Sequence, residues 1–408
     1  VKITHLEYLQ RIEIALKGGI HVSQSVYPQS VEELQLVLRT ASDTGSLLYV
    51  YRQGKPEGIT IDLSKLDEIL EIDAANLVAT VRPGVKLGIL AGRLAEQGLR
   101  FLPADTPFYQ DKTVGQLFYE GCSNLSSLKY GSAKHFLMGS EVVLPTGELL
   151  KTGGKTVKNV TGYDSTRFFN APYTDYGITV AFLLKLLPLP ETRKGMSITF
   201  AGVEEMLGFV KELKESQMVP AYLLWVDRKV QAIFQNDLQG QLVMLEFDGV
   251  QEDAEEQQHR AINLSKKYRG TIRESYEGGG QMPAKWGELY RSSDKYVLTD
   301  EYKLAFTRQA EFIKAFYDIT DSSGVQAGMF GQVSEGKLNI AFAAARPDNA
   351  FIEAVVTAVK HSGGISTGKY DRLTGKGPSG ILAELEQRAK IAFDPKQILN
   401  RLMLQEVQ

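Results

Sequence analysis

Ser140 to Asp164 reads SEVVLPTGELLKTGGKTVKNVTGYD. Val142 to Leu144 is apolar and largely β-branched, Pro145-Thr146-Gly147 carries turn chemistry, and Leu149-Leu150 opens a second apolar run. Together they predict a β-hairpin. Gly153-Gly154 lets the backbone turn, and Lys158-Asn159 leads into Thr161-Gly162-Tyr163-Asp164. After a polar gap, Tyr176 to Leu187 predicts a long apolar strand, closed by Pro188-Leu189-Pro190. By itself the stretch gives a hairpin, a loop and a buried strand, and no chemistry.

The composition bounds the rest. At 408 residues the chain predicts two or three domains with ample core. No apolar run is long enough to span a bilayer, and the N-terminus is polar and amphipathic rather than a charged-then-apolar leader, so the expected location is cytoplasmic. A net charge of −3 argues against a nucleic-acid surface and gives no attraction to membranes. Cys122 is the single cysteine, which excludes an internal disulfide and a thiolate-held iron–sulfur cluster within this chain. Five scattered histidines show no metal-ligand spacing, so no metal is expected.

The KNVTGYD run at Lys158 to Asp164, followed by an apolar strand and PLPE, resembles the FAD-linked oxidase domain of the vanillyl-alcohol oxidase superfamily. It is most similar to the second flavin-type subunit of bacterial glycolate oxidase, with its GG-x-x-x-KNV-x-GYD-x-x-R pattern. Gly153, Gly154, Lys158, Asn159, Val160, Gly162, Tyr163, Asp164 and Arg167 fit that pattern without a gap. Upstream, Val81-Arg82-Pro83-Gly84-Val85, Leu102-Pro103-Ala104-Asp105, Thr113-Val114-Gly115 and Tyr130-Gly131-Ser132 fit as well. Near the end, Phe393 to Asn400 reads FDPKQILN and matches the family's FDP-x-x-x-x-N.

The resemblance implies an α+β fold: an FAD-binding domain of the FAD-linked oxidase (PCMH) type over residues 1–192, a ferredoxin-like cap over 193–380, and a C-terminal helix, 381–408, returning to the first domain. It implies FAD as cofactor. The positions it assigns to FAD are Gly84, Pro103, Asp105, Thr113, Gly115, Gly131, Ser132, Gly162, Tyr163, Gly177 and Ile178.

Read in order, the chain agrees with such a domain. A helix pattern at His5 to Leu16 ends at Gly18-Gly19, and Ser30-Val-Glu-Glu33 is a capping-box pattern opening a helix to Gly45. Strands are expected at Leu47–Tyr51, Ile59–Leu63 and Ala79–Val81, and a helix at Lys86–Gln97 with Gly98 as its C-cap. No GxGxxG follows a strand, so a Rossmann site has no support. After Pro190, strands are expected at Met196–Phe200, Tyr222–Val226, Val230–Phe234 and Gln241–Phe247, with helices at Val203–Glu215 and Glu252–Tyr268. Strands and helices continue to alternate to Lys360, and Ile381–Ala392 is a last helix.

An FAD pyrophosphate lies against bare backbone, because only glycine lets N–H groups approach phosphate oxygens without a Cβ clash. The family places a Gly-rich loop between two early strands. Here the link is Arg52-Gln53-Gly54-Lys55-Pro56-Glu57-Gly58, short and carrying a proline without an N–H, and it reads as a strand connector. Beside the isoalloxazine the family has two adjacent glycines and a small residue, whereas this chain has Gly115-Gln116, then Tyr119 and Glu120. A Tyr ring takes volume the isoalloxazine needs, and a Glu opposes negative charge on reduced flavin. The family's Gly-Ser-x-Gly before the last strand is Ala171-Pro172-Tyr173-Thr174 here. Three loops without their glycines predict an eroded flavin site.

Oxidation of a 2-hydroxy acid needs a base for the hydroxyl proton and a cation for the carboxylate. The family's catalytic partner carries part of this in a Glu-His segment after a Gly-Gly turn. Here Gly363-Gly364 is followed by Ile365-Ser366-Thr367-Gly368-Lys369-Tyr370. His361 reads as a partner for a helix C-terminus, and Lys369 and Arg372 as solvated surface charge. Gly278-Gly279-Gly280 and Gly375-Lys376-Gly377-Pro378 lack nucleotide-loop spacing and read as loops.

The expected function is thus an accessory subunit of a glycolate-oxidase-like 2-hydroxy-acid dehydrogenase complex, meeting any membrane only through its partners. Those partners are a catalytic flavin subunit and an iron–sulfur subunit. Two alternatives stay open: a non-redox scaffold reusing the fold, and an active flavoenzyme for glycolate or lactate with relocated phosphate contacts.

Overall fold

The computed structural model describes residues 25–51, 58–105, 109–121, 124–156, 162–172, 175–233, 239–277, 296–297, 301–343, 349–366 and 381–400. The helix expected at His5–Leu16, Lys158 to Val160 of the KNV run and the two late glycine clusters lie outside these residues.

The first lobe is a parallel three-stranded sheet of Ser25–Val26 (β1), Leu48–Val50 (β2) and Ile59–Ile61 (β3), in the order β1-β3-β2. Helix Val31–Thr44 covers it with a stripe of Val31, Leu34, Val37, Leu38 and Ala41. Its ends form as the sequence predicts. Ser30 Oγ accepts from the Glu33 N–H (3.2 Å), and Gly45 closes the helix at φ +69°. The Glu33 carboxylate accepts instead from the Gln29 N–H (2.8 Å), one residue before the cap.

The second lobe is an antiparallel sheet of Ile69–Asp73 (β4), Val78–Val81 (β5), Leu137–Val143 (β6), Leu149–Gly153 (β7) and Ile178–Lys185 (β8). Its order is β4-β5-β8-β6-β7. The hairpin predicted from the opening stretch is β6-β7, with Val142 opposite Leu150. Strand β4 has no counterpart in the sequence reading. On β8, Ile178 and Val180 join the first lobe's core, while Phe182 and Leu184, further along the same face, join the second lobe's core. This strand therefore runs across the junction between the lobes.

A nine-stranded sheet follows from Thr192. Its first four strands, Thr192–Phe200, Tyr222–Val226, Gln241–Gly249 and Thr271–Glu277, lie in the order fourth, first, third, second. With helices Val203–Glu215 and Gln251–Lys267 between them, this is the ferredoxin-like arrangement. Those helices, with Gln309–Ser323 and Asn349–His361, bury one sheet face around Trp225, Phe247, Phe312 and Phe316. The other face, with Leu224, Val226, Leu242 and Met244, packs against Leu125 of the second lobe.

One expectation fails here. The segment read as a strand at Val230–Phe234 is a helix, Arg228–Ile233, over its described part. The Asp227 carboxylate accepts the Val230 N–H (2.6 Å) and fixes the helix start, which a short apolar run does not reveal.

Candidate functional site

A cleft opens where β8 crosses between the lobes. Val50 and Tyr51 line it from the first lobe; Gly115, Phe118, Tyr119, Asn170, Gly177 and Thr179 line it from the second. Leu399 and Asn400 close it from the C-terminal segment. Its water-accessible interior is about 30 Å³, room for about two waters. None of its described lining residues carries a charged side chain.

The C-terminal closure explains the FDPKQILN match. The Asp394 carboxylate accepts the N–H groups of Ile398 (3.0 Å) and Leu399 (2.9 Å), and buried Lys390 pairs with it at 2.7 Å. That tight turn brings Leu399 beside Leu48 as a parallel bridge. Asn400 then donates its own N–H to the Leu48 carbonyl (2.8 Å), and its Oδ1 accepts from the Val50 N–H (3.1 Å). Its Nδ2 donates to Asp175 Oδ1 (2.6 Å), which also accepts from the Tyr119 hydroxyl (3.3 Å).

Two aromatic rings face each other in the cleft, Tyr51 and Tyr119, with centroids 5.0 Å apart and planes tilted by 35°. Tyr51 holds φ +58°, in the left-handed region that a bulky side chain disfavours. A Cβ at Gly115 would collide with the Tyr51 hydroxyl, so glycine at 115 makes room for that ring. Burial, aided by the Asp62 charge, pushes the Tyr51 phenol well above the ordinary tyrosine range, keeping it neutral.

The predicted cofactor positions gather only in part: the turn around Gly84 is joined to Thr113–Gly115, the Gly115 N–H donating to the Pro83 carbonyl (2.9 Å) and the Val114 N–H to that of Val85 (2.9 Å). Gly115, Gly177 and Ile178 line the cleft. Thr113 caps helix Val114–Tyr119 through a reciprocal capping box with Gln116, which gives that side chain a local role at the family's second glycine. Glu120 does not line the cleft and pairs with Lys112 at 2.6 Å. Gly84 sits under the Leu63 and Leu66 carbonyls, too close for a Cβ. Pro103 is buried in the 3-10 turn Leu102–Asp105. Gly131, at φ +85°, ends helix Ser127–Tyr130, and the Ser132 N–H donates to His135 Nδ1 (3.0 Å). Gly162 holds φ +83°, and Tyr163 beside it is fully exposed. Asp164 caps the Arg167 N–H (3.0 Å). Of the loops read as lacking phosphate contacts, residues 52–57 and 173–174 lie outside the described residues.

Asp105 belongs to a different cluster, between the second lobe and the cap. It pairs with Arg193 at 3.2 Å. Nearby, the buried Asp248 carboxylate takes Arg100 at 2.9 Å and Lys129 at 2.7 Å, and the Tyr130 hydroxyl donates to it (2.8 Å). Burial pushes the Asp248 pKa up, but the Lys129 and Tyr130 hydrogen bonds and the Arg100 charge outweigh it and hold the group below the usual carboxylate range. Nothing in the sequence joins these distant positions. Among the described residues, no group of three or more His, Cys, Asp or Glu could hold a metal ion, and no helix is long and apolar enough to cross a membrane.

The family profile of the FAD binding domain matches residues 22–153, and that of FAD linked oxidases, C-terminal domain, matches residues 189–404. Glycolate oxidase subunit GlcD of Bacillus subtilis is 28% identical over 373 residues, covering 84% of this chain and 78% of that protein. Glycolate oxidase subunit GlcE of Escherichia coli is 29% identical over 169 residues, covering 41% of this chain and 47% of that protein. Among solved structures, p-cresol methylhydroxylase superposes with a TM-score of 0.70 at 16% identity, over 97% of this chain and 96% of that one; this likeness concerns the fold.

Proposed function

Because the chain belongs to the FAD-linked oxidases, we propose that it is an accessory subunit of a 2-hydroxy-acid dehydrogenase assembly, in which a partner flavin subunit oxidises the acid. One observation carries this reading: the described lining of the cleft has no carboxylate, no histidine and no cation, and its Tyr51 phenol is held neutral. A 2-hydroxy acid brings a carboxylate to be paired and a hydroxyl proton to be removed, and neither task has a group here.

The family implies FAD; what speaks against its ring at this place is the Tyr51 side chain, which takes the space beside Gly115 and packs on Tyr119. Electrons would pass between the flavin subunit and an iron–sulfur subunit, since a chain with one cysteine cannot ligate such a cluster alone. The match of the FAD binding domain profile favours a second reading, an active flavoenzyme with relocated phosphate contacts.

Dye reduction by the purified chain with glycolate or D-lactate, with and without added FAD, separates the two. The accessory reading expects no turnover in any arm. Turnover of about 1–10³ per second by the chain alone would establish the flavoenzyme instead.

A further inference from the structure

We propose that Tyr51 and Tyr119 stand where a flavin ring would lie, and that this pair supplies the packing between lobes that a bound flat cofactor would otherwise supply. The inference rests on the reading that this cleft holds no flavin.

The two rings come from opposite walls. Tyr51 follows β2 of the first lobe, and Tyr119 ends helix Val114–Tyr119 of the second. At 5.0 Å between centroids they are within the range at which aromatic pairs attract. Each is held in place by contacts that cross the cleft. Tyr51 keeps the φ +58° that aims its ring over Gly115, although that backbone conformation suits glycine and not tyrosine. The Tyr119 hydroxyl is tied through Asp175 and Asn400 to the N–H of Val50, the residue before Tyr51. The contacts therefore form a closed circuit across the cleft, from Val50 through Tyr51, Tyr119, Asp175 and Asn400 back to Val50. Such a circuit holds two lobes together without a ligand. Gly115 shows what opening it would expose, since the space beside its bare backbone is taken by the Tyr51 phenol.

Removing the rings should uncover a slot for a flat aromatic ligand. The probe is lumiflavin, which has the tricyclic ring and no phosphate, so binding does not depend on any phosphate contact. The variants are Tyr51→Gly, which removes the ring and suits the positive φ, and Tyr51→Gly with Tyr119→Ala. Lumiflavin fluorescence and the melting temperature are read together. The parent should show no saturable quenching and no thermal gain. The double variant should melt lower, bind lumiflavin at least about tenfold more tightly than the parent, and recover part of the lost melting temperature on binding. Should the double variant fail to fold, the single Tyr51→Gly protein carries the same comparison. Tyr119→Phe, which keeps both rings, should bind like the parent.

Variants that bind lumiflavin no better than a flavin-free parent would overturn the ring-pair assignment and leave the accessory reading standing. A parent that already carries one equivalent of flavin would overturn both.

Discussion

Asp227 shows how one buried residue can be both a structural fixture and a titrating group. Its carboxylate accepts the N–H groups of Val230 (2.6 Å) and Met329 (2.9 Å) and the Tyr317 hydroxyl (3.3 Å). Burial still outweighs these bonds and the Lys229 charge, and raises its pKa to about 6 from 3.8. The folded protein therefore holds this proton more tightly than the unfolded chain does. The resulting stability is fully present below the unfolded value and is lost as pH rises through about 6. A shift of that size corresponds to about 3 kcal/mol. Denaturant unfolding at a series of pH values should show the parent losing about 2 kcal/mol more than Asp227→Asn between about pH 4 and about pH 7, part of the effect being already gone at pH 4. Parallel curves for the two proteins would remove Asp227 from the account. No feature of the sequence near 227 announces this role, because the Met329 and Tyr317 donors come from remote segments.

At the scale of elements, the sequence was most informative where a local rule decided the outcome. The Ser30 cap, the Gly45 terminus and the β6-β7 hairpin each depend on residues within a few positions, and each forms where expected. The segment at 228–233 was misread because its helix depends on a cap that also reaches a distant strand. The attachment of the cap to the second lobe was not legible at all. It joins Arg100, Lys129 and Tyr130 to Asp248, over more than a hundred positions of chain. Asp248→Ala would remove the carboxylate paired with the Arg100 guanidinium, only 6% exposed, and leave it the Tyr130 hydroxyl and the charge of Asp105. Breaking a buried pair in this way costs about 3–5 kcal/mol, so a comparable loss of unfolding free energy is expected, measured in denaturant. A change within about 0.5 kcal/mol would mean that the cluster is no more than surface charge.

For the whole molecule, the motifs around Gly153 to Asp164 and Phe393 to Asn400 were enough to indicate the fold, because they encode backbone turns shared across the family. The cleft was only partly legible. Tyr119 stood out as a large residue at a small-residue position, but its partner Tyr51 did not, since a left-handed tyrosine has no sequence signature. Asn400 was visible as a motif position, while its bonds to Val50 and Asp175 required the folded chain. The central claim is that two tyrosines close the place a flavin would occupy, so that oxidation belongs to a partner. The most direct test is the amount of FAD released by acid from the purified chain. The account predicts well below one equivalent per chain, with or without prior incubation with FAD. Release of one equivalent would contradict it.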